Sequence, residues 1–460
     1  MLIDKLLDYV KYDTQSNEQS ETCPSTDKQL VLAKHLYEQL NDLGVADVVC
    51  DGYGYVYGYL DGDHNLPTIG LVAHMDTSDA ASGYNVNPRI IENYDGNDIK
   101  LNDTITTDTN RFPFLKDYKG KTIVVTDGNT LLGADDKAGI AIVMEVLETL
   151  INNPNYKHGP IRVAFTPDEE IGRGTEKFNY DLFKVDFAYT VDGDKPNNVE
   201  YENFNGASAV VKCTGISVHP GSAKDKLVNA ISLAMEFNSY LDPNKVPEHT
   251  EGYEGFNHMV GISGEVGQAQ LTYILRNHDI NILNEQKQSF KDIEAKMNDK
   301  YGYKCIETTI IDAYKNMKEK FIGNMYPINL VHQAMNELGM NFTSVAIRGG
   351  TDGATLTWNG ILCPNLGTGG QNFHGIHEFW CKEDGEKVVE LILKLLEIVD
   401  PNYNNICPVC NSHHFTEPHE ICPICGWQND KVQKQDPDFE GGANKLSLKQ
   451  AICEYEKVSK

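Results

Sequence analysis

The sequence is poor in positive charge: 40 Lys and Arg face 67 Asp and Glu, a formal net charge of −27 over 460 residues. A surface of that sign repels phosphates, which excludes nucleic acid and an anionic membrane surface as the main partner. Long hydrophobic runs are also missing. The most apolar stretch, Val388 to Val399, is cut by Glu390, Lys394 and Glu397 and is shorter than the ~20 residues a bilayer requires; it reads as an amphipathic helix. Met1 to Ser16 places Asp4, Lys5, Asp8 and Lys11 among its apolar residues, without the apolar core of a secretory signal, so a cytoplasmic protein is expected. The cysteines lack the regular spacing of a disulfide framework: of 11, seven are scattered singly and Cys407, Cys410, Cys422 and Cys425 form one cluster. That usage fits a reducing compartment and a metal site. Internal repeats and low-complexity tracts are absent, and 40% hydrophobic with 23% charged residues describes a globular chain long enough for two or three domains.

What is present reads first as an α/β fold. Thr68 to Ala73, Thr122 to Thr126, Ile161 to Thr166 and Phe187 to Val191 are short apolar runs that predict strands buried on both faces of one sheet. Between them, Lys137 to Ile151 carries Ile140, Val143, Met144, Leu147 and Ile151 at helical spacing. The pattern changes near Phe204. A strand over 207–216, a helix over 227–241, strands over about 258–265 and 268–276, a helix over 282–299 and a strand over 303–312 make a βαββαβ unit. A helix at Pro327 to Leu338, a strand at Ser344 to Ile347 and a closing helix at Glu386 to Val399 return to the first sheet, so the small domain is inserted into the large one. The last 60 residues, from Pro401, have too little core to hold together unaided and call for a metal staple.

Several strand ends carry chemistry. Ala73-His74-Met75-Asp76-Thr77 follows an apolar strand, where open α/β sheets bind ligands, and makes His74 a metal-ligand candidate with Asp76 as its buttress. In Gly133-Ala134-Asp135-Asp136-Lys137, one aspartate caps the helix that follows and the other is free to bridge two ions; Asp135 is the bridging candidate and Asp136 the cap. Asp168-Glu169-Glu170 puts three carboxylates after a strand, a repulsion that a cation would relieve. Asp192 and Asp194 end another strand, where either could serve only the turn. Asn372-Phe373-His374-Gly375-Ile376-His377-Glu378 supplies a second histidine, either His374 or His377. Imidazole nitrogens and carboxylate oxygens in this number suit two divalent ions sharing one carboxylate, with zinc as the default and cobalt or manganese as substitutes. Arg276 and Arg348 have the guanidinium fork that matches a substrate carboxylate, with a structural ion pair as the alternative.

Beyond these motifs, Tyr12-Asp13-Thr14-Gln15-Ser16, Pro24-Ser25-Thr26, Tyr201-Glu202-Asn203-Phe204-Asn205, Val218-His219-Pro220-Gly221, Glu251-Gly252-Tyr253-Glu254-Gly255-Phe256 and Arg348-Gly349-Gly350-Thr351-Asp352-Gly353-Ala354 spread over Leu6 to about Val399. With them the chain resembles the peptidase T branch, the aminotripeptidases, of the M20 family of dinuclear zinc peptidases. The resemblance implies that His74, Asp135 and Asp192 hold one zinc and that Asp135, Glu170 and His374 hold the other. It further implies that Asp76 orients His74, that Glu169 is the general base acting on a metal-bridging water, and that His219 steadies the developing oxyanion. His374 is preferred to His377 because it occupies the family's ligand position. The implied architecture is a catalytic domain of residues 1–204 and 317–400 with a mixed sheet flanked by helices, plus an inserted βαββαβ lid domain of residues 205–316. The implied function is removal of the amino-terminal residue from tripeptides. The alternatives are another M20 amide hydrolase, acting on dipeptides or N-acyl amino acids, and a non-catalytic peptide-binding protein. A homodimer through the inserted domain is an arrangement related enzymes use and this sequence leaves open.

Cys407-Pro408-Val409-Cys410 and Cys422-Pro423-Ile424-Cys425 are two CxxC knuckles, the signature of a closed four-thiolate zinc site with a structural role. Together with Gln428-Asn429-Asp430 and Gly441-Gly442-Ala443-Asn444 they resemble the cysteine-rich CPCC domain, departing from it at Val409. Residues 401–460 are therefore expected to form a zinc ribbon, with iron as the alternative metal and an unidentified partner.

Overall fold

The computed structural model describes residues 1–458, and the chain divides into two compact units. The first comprises Met1–Tyr201, Glu319–Val345 and Leu356–Lys460; the second comprises Glu202–Lys318 and Ala346–Thr355. Among the described residues no helix is long and apolar enough to cross a membrane.

In the first unit a seven-stranded sheet runs in the order Ala46–Cys50, Val56–Leu60, Ile161–Thr166, Ile69–His74, Phe187–Gly193, Asn365–Gly367 and Val199–Glu200. The four inner strands are parallel and the flanking ones antiparallel. All six residues of Ile69–His74 are buried, as expected of a strand covered on both faces. The helix Ala134–Asn152 lies against this strand with Leu2–Tyr9 and Lys382–Ile398 on its other side, which explains why it is buried almost all round rather than along one stripe. It also approaches the neighbouring strand Phe187–Gly193 closely at Gly139, where an added Cβ would stand 1.9 Å from the Val191 carbonyl oxygen.

Two expectations fail here. The run at Thr122 to Thr126 is a strand, Ile123–Val125, but it belongs to a separate antiparallel sheet ordered Gly370–Gln371, Phe379–Cys381, Ile123–Val125, Arg89–Ile91. A buried three-residue run carries no periodicity that says which sheet it joins. Ser344 to Ile347 is not a strand: only the isolated bridges Asn198↔Thr343 and Asn203↔Ile347 form, and Val345 is exposed.

The second unit has the expected element order, strand-helix-strand-strand-helix-strand. Phe256–Gly264, Gln268–Asn277, Asn205–Thr214 and Ile306–Tyr314 form an antiparallel sheet in that order. Helices Ala230–Ser239 and Ile280–Tyr301 cover one face, burying Ala207, Val211, Leu271, Tyr273, Phe237 and Phe290 in one core. The longer helix starts at Asp279, whose side chain accepts the Asn281 and Ile282 N–H groups, and stops at Gly302 in the left-handed conformation.

The carboxyl-terminal segment belongs to the first unit and has its own small core of Val409, Phe415, Trp427 and Leu448 around the cysteines. Leu448 packs at Gly323, where an added Cβ would meet Leu448 Cδ2 at 2.5 Å, and Lys449 lies 3.7 Å from Glu319.

Candidate metal centre

Parallel strands deliver their ends to one place. His74 closes Ile69–His74, Asp192 lies near the end of Phe187–Gly193, and Glu169 and Glu170 open the short 3-10 turn Glu169–Ile171 that follows Ile161–Thr166. Successive residues of such a turn are rotated by about 120°, so the two glutamates point in different directions. Asp135 comes from the non-helical start of Ala134–Asn152 and His374 from the loop before Phe379–Cys381.

The distances place Asp135 at the centre. Its Oδ1 is 2.9 Å from His74 Nε2 and its Oδ2 is 3.1 Å from His374 Nε2. Asp192 Oδ1 lies 3.3 Å from His74 Nε2, and Glu170 Oε2 lies 3.0 Å from His374 Nε2. His74 is buried while His374 is 48% exposed, so one side of the cluster opens to solvent. Asp136, adjacent to Asp135, uses both oxygens on backbone: Oδ2 accepts the His74 N–H and Oδ1 accepts the Gly139 N–H, each at 3.1 Å. The candidate metal-holding groups are His74, Asp135 and Glu170, and His74, Asp136 and Asp192, so both aspartates lie within reach of the centre.

The electrostatics fit a cation. Burial pushes the Asp192 carboxyl up to about 6. Burial, with the Asp135 charge adding to it, pushes Glu170 up to about 7. Burial would raise Asp135 too, but the hydrogen bonds from His374 and His74 outweigh it and hold Asp135 below the carboxylate range. Hydrogen bonds to Asp135 and Glu170 lift His374 to about 11. Glu170 Oε1 is buried without a hydrogen-bond partner. A surplus of buried carboxylate, an unpartnered oxygen and two imidazoles is a donor set suited to divalent metal.

Asp76 touches both His74 and the glutamate turn. His74 Nδ1 sits 3.1 Å from the Asp76 carbonyl oxygen and 3.4 Å from its carboxylate, while Asp76 Oδ1 and Oδ2 accept the Glu169 and Glu170 N–H groups at 2.9 and 3.1 Å. Asp76 thus meets the ring chiefly through its backbone carbonyl, while its carboxylate holds the glutamate turn. Asp168 is outside the metal cluster, contrary to its grouping with the two glutamates. Its carboxylate accepts the Ser25 N–H at 2.7 Å and the Gln29 Nε2 donor at 2.7 Å, so its charge is satisfied by the amino-terminal segment. His377 turns away to Thr107 Oγ1, 2.9 Å from its Nδ1, and packs on Phe112. Asp194 accepts the Lys195 N–H in a turn. Glu378, the last residue of the His374 motif and given no role from the sequence, is buried and bonded to the segment that carries Asp135, Oε1 accepting the Asp135 N–H at 3.1 Å.

The remaining candidates lie on the second unit. His219 precedes the turn Pro220–Ser222, and its Nδ1 accepts the Gly221 N–H. Arg276 donates to the Ala207 and Leu275 carbonyls and stacks on Tyr314. Arg348 donates to the Gly252, Glu254 and Thr250 carbonyls and lies over the Phe204 and Phe256 rings. In the tail, the four cysteine sulfurs lie within 4.8 Å of one another, with Cys407 and Cys425, and Cys410 and Cys422, each paired at 3.5 Å.

The family model for peptidase family M20/M25/M40 matches residues 108–398. The chain belongs to that family. Among curated M20 relatives, peptidase T of Halothermothrix orenii is 48% identical over 401 residues, covering 86% of this chain and 98% of the relative. Peptidase T of Bacillus licheniformis is 46% identical over 403 residues, 87% of this chain and 98% of the relative. Of solved structures, a tripeptidase from Staphylococcus aureus superposes with a TM-score of 0.69 at 23% identity, covering 86% of this chain and 97% of that one. An aminopeptidase from Bacillus cereus gives a TM-score of 0.68 at 21% identity over the same shares. These two show the fold. A second family model, cysteine-rich CPCC, matches residues 405–459, beyond the M20 portion.

Proposed function

We propose that this M20 peptidase is an aminotripeptidase that hydrolyses the first peptide bond of tripeptides in the cytoplasm. The observation that carries the reading is the placing of Asp135, one oxygen toward each histidine, with Asp192 and Glu170 completing two half-sites. Identity of 46–48% to peptidase T over almost the whole length of those relatives supports the substrate class. Zinc is the proposed metal, held by His74, Asp135 and Asp192 and by Asp135, Glu170 and His374; when bound, such ions act as Lewis acids and lower the pKa of attacking water toward ~7. Glu169 would act as the general base, taking a proton from the attacking water and returning it to the departing amine, a role open to it because Asp76 fixes its backbone and Glu170 would serve as the ligand. His219, Arg276 and Arg348 are the proposed substrate contacts, His219 for the carbonyl oxygen and the arginines for the carboxylate. The cysteine site is proposed to hold a structural zinc, with iron as the alternative.

A panel of tripeptides, dipeptides and N-acetyl amino acids tests this. Tripeptide turnover that disappears with chelator and returns with zinc is expected, with the other substrates slow. Glu169→Gln should lower kcat by roughly 10²–10⁴-fold; full turnover by that variant would remove Glu169 from the base role.

A further inference from the structure

Two of the proposed ligands, Asp135 and His374, sit on loops 239 residues apart in sequence, and the reason they meet lies in the small antiparallel sheet. Ile123–Val125 pairs with Phe379–Cys381 in the register Val125↔Phe379. The chain leaving Val125 runs on to Asp135, and the chain entering Phe379 comes from His374, so both loops emerge at the same end of the same strand pair. Between them stands Glu378, 1% exposed. Its Oε2 accepts the Leu132 N–H at 2.7 Å and the Gly133 N–H at 2.9 Å, and its Oε1 accepts the Asp135 N–H at 3.1 Å. Gly133 adopts a left-handed conformation, φ 78° and ψ 26°, within the loop whose N–H groups converge on one acceptor.

We propose that Glu378 is a positioning residue that locks the bridging carboxylate Asp135 against His374, by holding the backbone of the Asp135 loop from the root of the His374 loop. Glu378 contributes no oxygen to the cluster, since its hydrogen bonds are all to backbone. It is the counterpart of Asp76: each is a buried carboxylate that is not a ligand, and each fixes the N–H groups of a ligand-bearing loop. Asp76 serves the glutamate turn and Glu378 the bridge. The inference rests on reading Asp135, Glu170 and His374 as the ligands of one metal.

Two substitutions test it in the full chain. Glu378→Gln keeps the shape but must aim an amide N–H₂ at backbone donors, and Glu378→Asp keeps both acceptor oxygens but shortens the reach by one methylene. Each metal-depleted protein is titrated with zinc against a chromogenic chelator, melted without metal, and assayed for kcat and KM on a tripeptide. The unsubstituted chain should take up three equivalents, two of them in the peptidase part. In either variant one of those two should bind about 10–100-fold more weakly, with kcat falling further than KM. A variant that melts earlier without metal yet binds both equivalents as tightly as the parent would make Glu378 a fold residue only and overturn the proposal, as would unchanged affinity and kcat. If Glu378→Gln does not fold, Glu378→Asp decides alone. Failure of the unsubstituted chain to bind two equivalents in the peptidase part would refute the ligand reading itself.

Discussion

Replacing Gly139 by alanine sets two physical effects against each other with opposite signs. In an exposed helix the change would stabilise by about 1 kcal/mol, because alanine is the better helix former. At this position the new Cβ would stand 1.9 Å from the Val191 carbonyl oxygen and 2.4 Å from Asp136 Oδ1, where ordinary contact begins at 3.4 Å. Relief requires the helix and the strand to part by about 1.5 Å, the difference between 3.4 and 1.9 Å. The obstructing atom belongs to the backbone of a buried central strand, so no rotamer change removes it. Overpacking typically costs 1–3 kcal/mol, and a clash this deep against fixed backbone belongs at the upper end, about 3 kcal/mol; subtracting the propensity gain of about 1 kcal/mol leaves a net loss of about 2 kcal/mol. Val191 immediately precedes Asp192, and Gly139 donates its N–H to Asp136, so the displacement also moves two groups of the centre. Misplacement by ~1 Å can cost on the order of 10²-fold in rate. Urea titration of parent and variant, followed by fluorescence and by tripeptide turnover, measures both. A variant as stable as the parent, or more so, would show that the helix yields without cost and refute the close-approach argument.

Asp168→Ala should destabilise by about 3 kcal/mol, since it strands buried donors on Ser25 and Gln29, and should slow turnover without lowering metal stoichiometry; denaturation and elemental analysis read the two effects. Cys422→Ser should abolish the tail's metal and loosen the core around Trp427 while the peptidase part keeps two equivalents and its activity, read by metal analysis with the tripeptide assay. Glu200, buried between the Asn198 and Asn365 amides, is pushed up to about 8 chiefly by burial. A carboxyl raised in the folded state is ionised first in the unfolded chain, so its contribution favours folding below about pH 4.5 and is lost as pH rises toward 8. Glu200→Gln should flatten that decline, and an unchanged slope of stability against pH would exclude Glu200 as its source.

Much of this was legible from residue order, and the misses have physical causes. Runs such as Ile69–His74 and Phe187–Gly193 announce themselves because strands covered on both faces need apolar residues throughout. Ala46–Cys50 and Val56–Leu60 drew no prediction, since the intervening and internal glycines and tyrosines of Asp51 to Leu60 imitate a turn-rich loop. The proposed ligands His74, Asp135, Glu170, Asp192 and His374 were nameable because the family resemblance chose among candidates that residue chemistry alone left open, such as Asp194 and His377. Asp168 and Glu378 were not separable in the same way. A buried carboxylate that serves backbone N–H groups looks in sequence like one that serves a metal, and only partners brought from residues such as Ser25 and Leu132 distinguish them.

The centre draws on two sheets: His74, Glu170 and Asp192 come from the large one, and the loops of Asp135 and His374 from strands of the small one. Neither sheet alone carries a complete proposed half-site, so an ion held there would bind tightly only once the two sheets are docked. Metal binding would then favour the assembled arrangement. Binding that favours the native state stabilises it by RT ln(1 + [L]/Kd), about 4 kcal/mol at a thousandfold excess over Kd, and a chain starved of metal forfeits that margin. Scarcity of the ion would therefore be felt as shortened protein lifetime as well as lost turnover.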